Sequence, residues 1–162
     1  MLERVHHRYE KLLEAIVFVL MVMLAVIVAA AVIFRKAGAS LVWYDEVAEI
    51  MLAWVTYYGA ALAALRGAHI GVSALVDAMP ARMRVAAVVA AEILVIGFFV
   101  LLAWAGWHVL EVLAQDTLVS LPEIPSSYAQ SPIVIGSVLY VIAELLRLPQ
   151  VLRAAATPPP GN

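Results

Sequence analysis

Long apolar runs separated by short polar segments dominate this chain. Four runs reach the roughly 20 residues that a helix needs to cross a bilayer core of about 30 Å, since a helix rises about 1.5 Å per residue. The spans are expected at about 15–34, 47–65, 85–110 and 133–152. The pattern predicts an all-α membrane protein with four transmembrane helices in a single domain, 1–157, followed by a flexible tail at 158–162.

The first apolar run has a second interpretation, a cleaved signal peptide, because basic residues precede it and alanines lie near its end. The apolar region of a signal peptide is about 7–15 residues long. The run from Ala15 to Phe34 is longer and contains no charged residue. A retained transmembrane helix is therefore favoured.

The distribution of basic residues predicts the orientation, because cytoplasmic segments of membrane proteins carry the excess of Lys and Arg. Eight of the ten basic residues precede the first span, lie between the second and third, or close the fourth. Only Arg35 and Lys36 fall on the other side. Both termini are therefore expected in the cytoplasm, with Trp43 and Tyr44 in an aromatic belt at the outer surface.

The connection between the second and third spans has an apolar stripe of its own. Val72, Leu75, Val76 and Met79 recur at helical spacing, and Pro80 follows them. This pattern predicts a short cytoplasmic helix lying in the membrane interface. An ordinary polar loop is the alternative.

Composition excludes several classes of function. The chain is 65% hydrophobic and 14% charged, against about 25% charged residues in soluble domains, and its mean hydropathy is +0.99. The net charge of −2 is spread along the chain, so no nucleic-acid partner is expected. The absence of cysteine excludes thiolate catalysis, iron–sulfur clusters and Cys-based zinc sites. No catalytic residue, metal site or cofactor is predicted.

Two histidines raise the possibility of a haem. His69 follows the second span on the inner side, whereas His108 lies near the outer end of the third. Most of the bilayer separates them, so they are not expected to share one iron. A self-contained four-helix protein, either a haem redox carrier or a small proton-coupled exporter, remains the alternative function.

Two carboxylates fall inside predicted spans, where ionised groups are costly. Glu92 lies about two turns into the third span, and Glu144 lies three residues before Arg147 in the fourth. Structural ion pairs are the favoured interpretation, with Arg66 or Arg84 within reach of Glu92. An ion-coupling site is the alternative.

The second span differs from the others in its ends and in its small residues. Carboxylates, among them Glu46 and Glu49, stand at its start and Arg66 at its end, while Gly59, Ala63 and Gly67 are spaced by four. Small residues at this spacing let helices approach closely in lipid. A protein-facing helix is predicted; an alanine-rich composition is the alternative explanation.

The same stretch resembles a known family. The run "FRKAGASLVWYDEVAEIMLAWVTYYGAALAALRGAHIGV" is similar to the small membrane subunit of tripartite ATP-independent periplasmic (TRAP) transporters, and "LPEIPSSYAQSPIVIGSVLYVI" resembles the start of that family's last helix. The matching positions are Arg35, Trp43, Glu46, Trp54, Gly59, Ala60, Arg66, His69, Ile70, Pro132 and Gly136.

The resemblance implies a non-catalytic small permease subunit in the bacterial inner membrane. Its partners would be a large membrane subunit, which imports organic acids with sodium, and a periplasmic substrate-binding protein. The residues expected to serve subunit or helix packing are Glu46, Glu49, Trp54, Gly59, Ala63, Arg66, Gly67 and His69. Arg35, Lys36 and Ser126, in the outer loops, would help to receive the binding protein.

Overall fold

The computed structural model describes residues 2–67 and 79–156. These residues form four long helices and one short 3₁₀ turn: α1 (Leu2–Lys36), α2 (Tyr44–Arg66), α3 (Ala81–Val112), the turn Leu113–Gln115 and α4 (Ser126–Ala156). All four helices are long and apolar enough to cross a membrane, which confirms the prediction of four spans. The predicted interfacial helix falls mainly on 68–78 and the predicted tail is 158–162; residues 68–78 and 157–162 lie outside the described residues.

Helix α1 packs along α2 through one narrow stripe. Less exposed residues recur along α1 every three or four positions, as in the seam of a coiled coil. From Leu13 onward they are Leu13, Ile16, Val17, Leu20, Leu24, Ile27, Ala30 and Ala31. The rest of the helix carries large exposed side chains such as Phe18, Val26 and Ile33. One face of α1 therefore holds the bundle together, while the wider face is left for lipid or another protein.

Helix α4 lies between α2 and α3, so the spatial order of the helices is α1, α2, α4, α3. A Cβ added at Gly136 of α4 would lie 2.6 Å from the Cβ of Tyr57, so α2 and α4 touch there. A Cβ at Gly106 of α3 would lie 3.0 Å from Ile133 and Val134. Glycines thus set the close approach of α4 to both neighbours, as expected where lipid supplies little hydrophobic drive for association.

The core lies in the half of the bundle near the C-terminal end of α2. Phe99 stacks on Tyr140 with ring centroids 3.7 Å apart and an interplanar angle of 12°, and the Tyr9 hydroxyl donates to the carbonyl oxygen of Leu139 at 2.7 Å. All four helices therefore meet at this level. The fully or nearly fully buried core residues are Leu13, Ala61, Ala64, Leu65, Tyr140 and Ala143.

Local sequence explains the ends of α2 and the continuity of α4. Gly67 closes α2 in the left-handed region at φ 63°, and its N–H bonds back to the carbonyls of the last turn. Inside α4, Pro132 cannot donate to the carbonyl of Tyr128. The Ser131 hydroxyl donates to that oxygen instead, at 2.7 Å, so the helix continues through the proline.

Candidate functional site

Charged side chains from all four helices gather at the level where α2 ends. The guanidinium of Arg66 donates from Nε to Glu10 at 2.8 Å and lies 3.3 Å from Glu14, so it joins α2 to α1. Both carboxylates are one turn apart on α1 and face the same partner. This level is called the inner charged layer, and its members are Glu10, Glu14, Arg66, Glu92, Glu144 and Arg147.

The remaining members of the inner charged layer belong to α3 and α4. The guanidinium of Arg147 packs against Gly67, where an added Cβ would lie 2.9 Å from Nη2. Its Nη1 is 4.0 Å from Glu144, which is only 3% exposed. Tyr140 lies within hydrogen-bonding range of Glu144 and interacts electrostatically with Glu92. The guanidinium of Arg147 and the carboxylate of Glu144 therefore lie beside Gly67, the residue that closes α2.

The two arginines predicted to reach Glu92 each contact another helix. Arg66 contacts the carboxylates of α1. Arg84, only 4% exposed, donates from Nε to the carbonyl oxygen of Ala155 at 2.8 Å. That contact ties the start of α3 to the end of α4.

One face of α2 is left open by the bundle. Its residues recur at spacings of three and four, as in a coiled-coil seam. Within 2–67 and 79–156, a Cβ added at Gly59 would meet nothing within 4 Å. Leu52 is 57% exposed, and Ala63 is half-buried. Gly67, at the end of the predicted row, instead contacts α4. The α2 open face is formed by Glu49, Leu52, Thr56, Gly59 and Ala63, and Arg66, bound to Glu10 and Glu14 of α1, lies at its inner end.

This face differs from the other exposed faces of the bundle. Helices α1 and α3 expose large apolar side chains, among them Met21, Leu94, Phe98 and Leu101. Such side chains suit lipid. The middle of the α2 open face has only a small hydroxyl, a glycine and an alanine, and its ends carry opposite charges. The arrangement leaves a shallow groove in which a helix backbone could lie close.

At the outer end of α2, Glu46 holds the loop that joins α3 to α4. One carboxylate oxygen accepts the backbone N–H of Val119 at 3.0 Å. The other accepts the N–H of Ser120 at 2.8 Å and also its hydroxyl. Glu46 therefore contacts a loop of its own chain. This contact was not part of the prediction that Glu46 serves subunit or helix packing.

The residues predicted to receive a binding protein lie on both sides of this outer end. Arg35 donates to the Tyr44 hydroxyl and lies 5.3 Å from the centre of that ring. Lys36 is exposed at the end of α1. Ser126 begins α4, and its N–H donates to the carbonyl of Asp116 at 2.8 Å. Arg35 is thus engaged within the chain, whereas Lys36 remains accessible.

Trp54 lies between these two levels. Its ring meets Tyr58 edge to face at 6.3 Å between centroids, and its Nε1 is buried with no hydrogen-bond partner among the described residues. The ring lines an apolar cavity of about 190 Å³ between α2, the outer loop and the start of α4. His69 lies outside the described residues. The Nδ1 of His108 lies 2.9 Å from the carbonyl of Trp104 in α3.

Two of the contacts described above were not predicted from the sequence. The pairing of Arg66 with α1 could have been predicted by comparing the depths of charged residues along the predicted spans. Glu10, Glu14 and Arg66 all lie at the inner ends of their helices. The bond between Glu46 and Ser120 joins residues 74 positions apart. No periodicity or motif in either segment indicates that contact.

The fold and these surfaces define a multi-pass membrane protein whose distinctive residues lie at helix contacts and at the two ends of the bundle. The model of one protein family, described as tripartite ATP-independent periplasmic transporters, DctQ component, matches residues 24–154. The match covers most of the sequence, including α2, α3 and nearly all of α4. The chain belongs to this family of transporter components, which is not a family of enzymes. No curated protein matches it.

Proposed function

We propose that this chain is the small, non-catalytic permease subunit that scaffolds the large membrane subunit of a TRAP transporter. The transporter would be sodium-coupled, depend on a binding protein and import organic acids across the bacterial inner membrane. Family membership supports a role in a tripartite transporter. The sodium coupling and the substrate class are carried over from the family resemblance, because both would reside in other subunits.

The α2 open face is the observation that carries this proposal. A row of small residues has no packing role on a helix face that contacts only lipid. On a face that contacts another helix, it allows the close backbone contact that drives association in lipid. Gly59 and Ala63 lie at the centre of the row, and the exposed carboxylate of Glu49 lies towards its outer end. We infer that a helix of the large subunit lies along this groove.

The inner charged layer completes the scaffold. Glu92 and Glu144 are interpreted as structural groups held with Tyr140 and Arg147, not as a site that binds a transported ion. A layer that links all four helices through charged contacts would resist relative motion of those helices. A rigid bundle is what a fixed support for a moving partner requires.

The orientation proposed for the subunit places both termini in the cytoplasm. Eight of the ten basic residues precede the first predicted span, lie between the second and third, or close the fourth, and this excess supports it. The loop held by Glu46 then faces the periplasm. From the apolar stripe in the sequence, we also propose that the connection between α2 and α3 forms a helix in the cytoplasmic membrane interface.

Photo-crosslinking tests the assignment of the open face. A photoreactive amino acid at Thr56 should crosslink to the co-expressed large subunit, because Thr56 is exposed at the centre of the groove. The same probe at Leu94, which is 73% exposed on α3, serves as the control and should give much weaker crosslinking. Crosslinks from Leu94 alone would move the interface to α3, and no stable complex at all would contradict the proposed function.

A further inference from the structure

The face of α1 that points away from the bundle carries basic residues at its inner end. Arg4, Arg8 and Lys11 recur at spacings of four and three, which places them on one side of the helix, and all three are exposed. Leu13, in the buried stripe of α1, follows Arg4 by nine residues, which is two and a half turns at about 3.6 residues a turn. The three cations therefore lie opposite the stripe that packs on α2. They are called the α1 basic stripe.

No described side chain neutralises the α1 basic stripe. Among the side chains that the structure describes, none of its three cations has an ion-pair partner. Glu10 and Glu14, the carboxylates within one turn of Lys11, are both engaged with Arg66 of α2. Like charges three and four residues apart on a helix repel each other. An anion bound beside the stripe would remove that repulsion.

The same face of α1 continues as a line of large apolar side chains. Phe18, Val26 and Ile33 follow Lys11 at helical spacing and are 67%, 61% and 66% exposed. Lys36, which is also exposed, ends the line at the other end of α1. This face therefore has a cation at each end and apolar side chains between them.

The distance between the two charged ends of this face matches the thickness of a bilayer. Lys36 follows Lys11 by 25 positions, which is about 38 Å along a helix that rises about 1.5 Å per residue. A bilayer measures about 30 Å across its hydrocarbon core and about 40–45 Å with its headgroups. When the apolar line lies against the acyl chains, the α1 basic stripe therefore lies among the headgroups.

Lipid fits this face better than a protein helix does. The large exposed side chains of Phe18, Val26 and Ile33 keep a neighbouring backbone at a distance, whereas helix contacts in membranes favour small residues. Cations at the level of the headgroups attract anionic lipids, whose phosphates accept charge-assisted hydrogen bonds from Arg and Lys. The charge of the stripe therefore favours anionic over zwitterionic lipid.

We propose that the α1 basic stripe is a binding site for the headgroups of anionic phospholipids in the leaflet at the inner end of the bundle. Arg4, Arg8 and Lys11 bind the headgroup phosphate, and the apolar line beside them contacts the acyl chains. The site leaves α1 facing lipid, so it is separate from the contact proposed between α2 and the large subunit. It does not rest on the function proposed for the chain.

Lipid selectivity in nanodiscs tests this assignment. The native chain has no cysteine, so a fluorophore on Ala15→Cys, exposed one turn after Lys11 on the same line, reports on that face alone. Its quenching is measured with spin-labelled phosphatidylglycerol and with spin-labelled phosphatidylcholine at equal mole fraction. The anionic lipid should be favoured about threefold or more, because each cation near a bilayer surface strengthens the attraction. Equal quenching by the two lipids would overturn the proposal.

Matched variants assign the preference to the three cations. Replacing Arg4, Arg8 and Lys11 together by glutamine should remove it, whereas Arg82→Gln, which removes another exposed cation at the inner end, should leave it unchanged. Arg4→Lys combined with Arg8→Lys keeps the charge and should keep the preference. High salt should weaken the preference of the unmodified stripe, because salt screens exposed charges. A preference that survives the triple change, or that Arg82→Gln removes equally, would overturn the assignment.

Two further measurements separate this site from other contacts. The same fluorophore on Val112→Cys, at a position that is 76% exposed at the outer end of α3 and next to Glu111, should show no preference for the anionic lipid. An equal preference there would overturn the assignment to α1. The label on Ala15→Cys should remain quenched by anionic lipid when the large subunit is reconstituted with the chain. Loss of that quenching would show that protein covers this face and would overturn the proposal.

Discussion

Replacing Ala63 by leucine tests the α2 open face most sharply. The change adds three carbon atoms to a half-buried position one turn from Gly59, where a Cβ would have no neighbour within 4 Å among the described residues. The isolated bundle should therefore accept it, and the added hydrophobicity should not hinder insertion. A partner helix seated in the groove would be forced away. Overpacking typically costs about 1–3 kcal/mol, which corresponds to about a five- to hundredfold weaker association.

The matched control is Ala64→Leu, one position further along the same helix. Ala64 is completely buried in the core beside Tyr140 and Ala143, so this variant should lower the thermal stability of the isolated chain. Co-purification with a tagged large subunit and thermal unfolding of the chain alone in detergent measure the two effects. The reasoning is refuted if Ala63→Leu associates normally, or if it destabilises the isolated chain as much as Ala64→Leu does.

Three further outcomes are expected. Gly136→Ala should destabilise the isolated bundle by about 1–3 kcal/mol, seen as a lower melting temperature, because its Cβ would clash with Tyr57; unchanged stability would contradict the close contact. Arg66→Gln should lower the melting temperature only slightly, since its ion pairs are solvent-exposed; a large loss would show that the charged layer is buried in the membrane. An impermeant thiol reagent applied to intact cells should label Ser40→Cys but not Arg82→Cys, and the reverse pattern would overturn the proposed orientation.

The helices could be predicted from sequence because a membrane requires long apolar runs with every backbone group paired. The same logic places the small residues of α2 where helices can approach. It does not decide which partner they approach. Gly67 contacts Arg147, whereas Gly59, eight residues earlier in the same row, has no described neighbour within 4 Å of an added Cβ. That difference depends on where α4 lies, and the spacing along α2 contains no information about α4.

Polar contacts were harder to predict than spans. Arg84 was expected near Glu92, and its bond to the end of α4 was not predicted, because a long flexible side chain can reach several groups at one level. Glu46 was assigned to packing from its position at a helix start. Its actual partners, Val119 and Ser120, come from a loop whose fold depends on backbone bonds that no hydrophobic pattern reveals.

Uptake by reconstituted components tests the central proposal, that this chain supports transport without performing it. Liposomes would contain this chain alone, the large subunit alone or both, with the binding protein and an inward sodium gradient. The account predicts sodium-driven uptake of an organic acid only when both membrane subunits are present. Uptake by liposomes that contain this chain as the sole membrane subunit would contradict it.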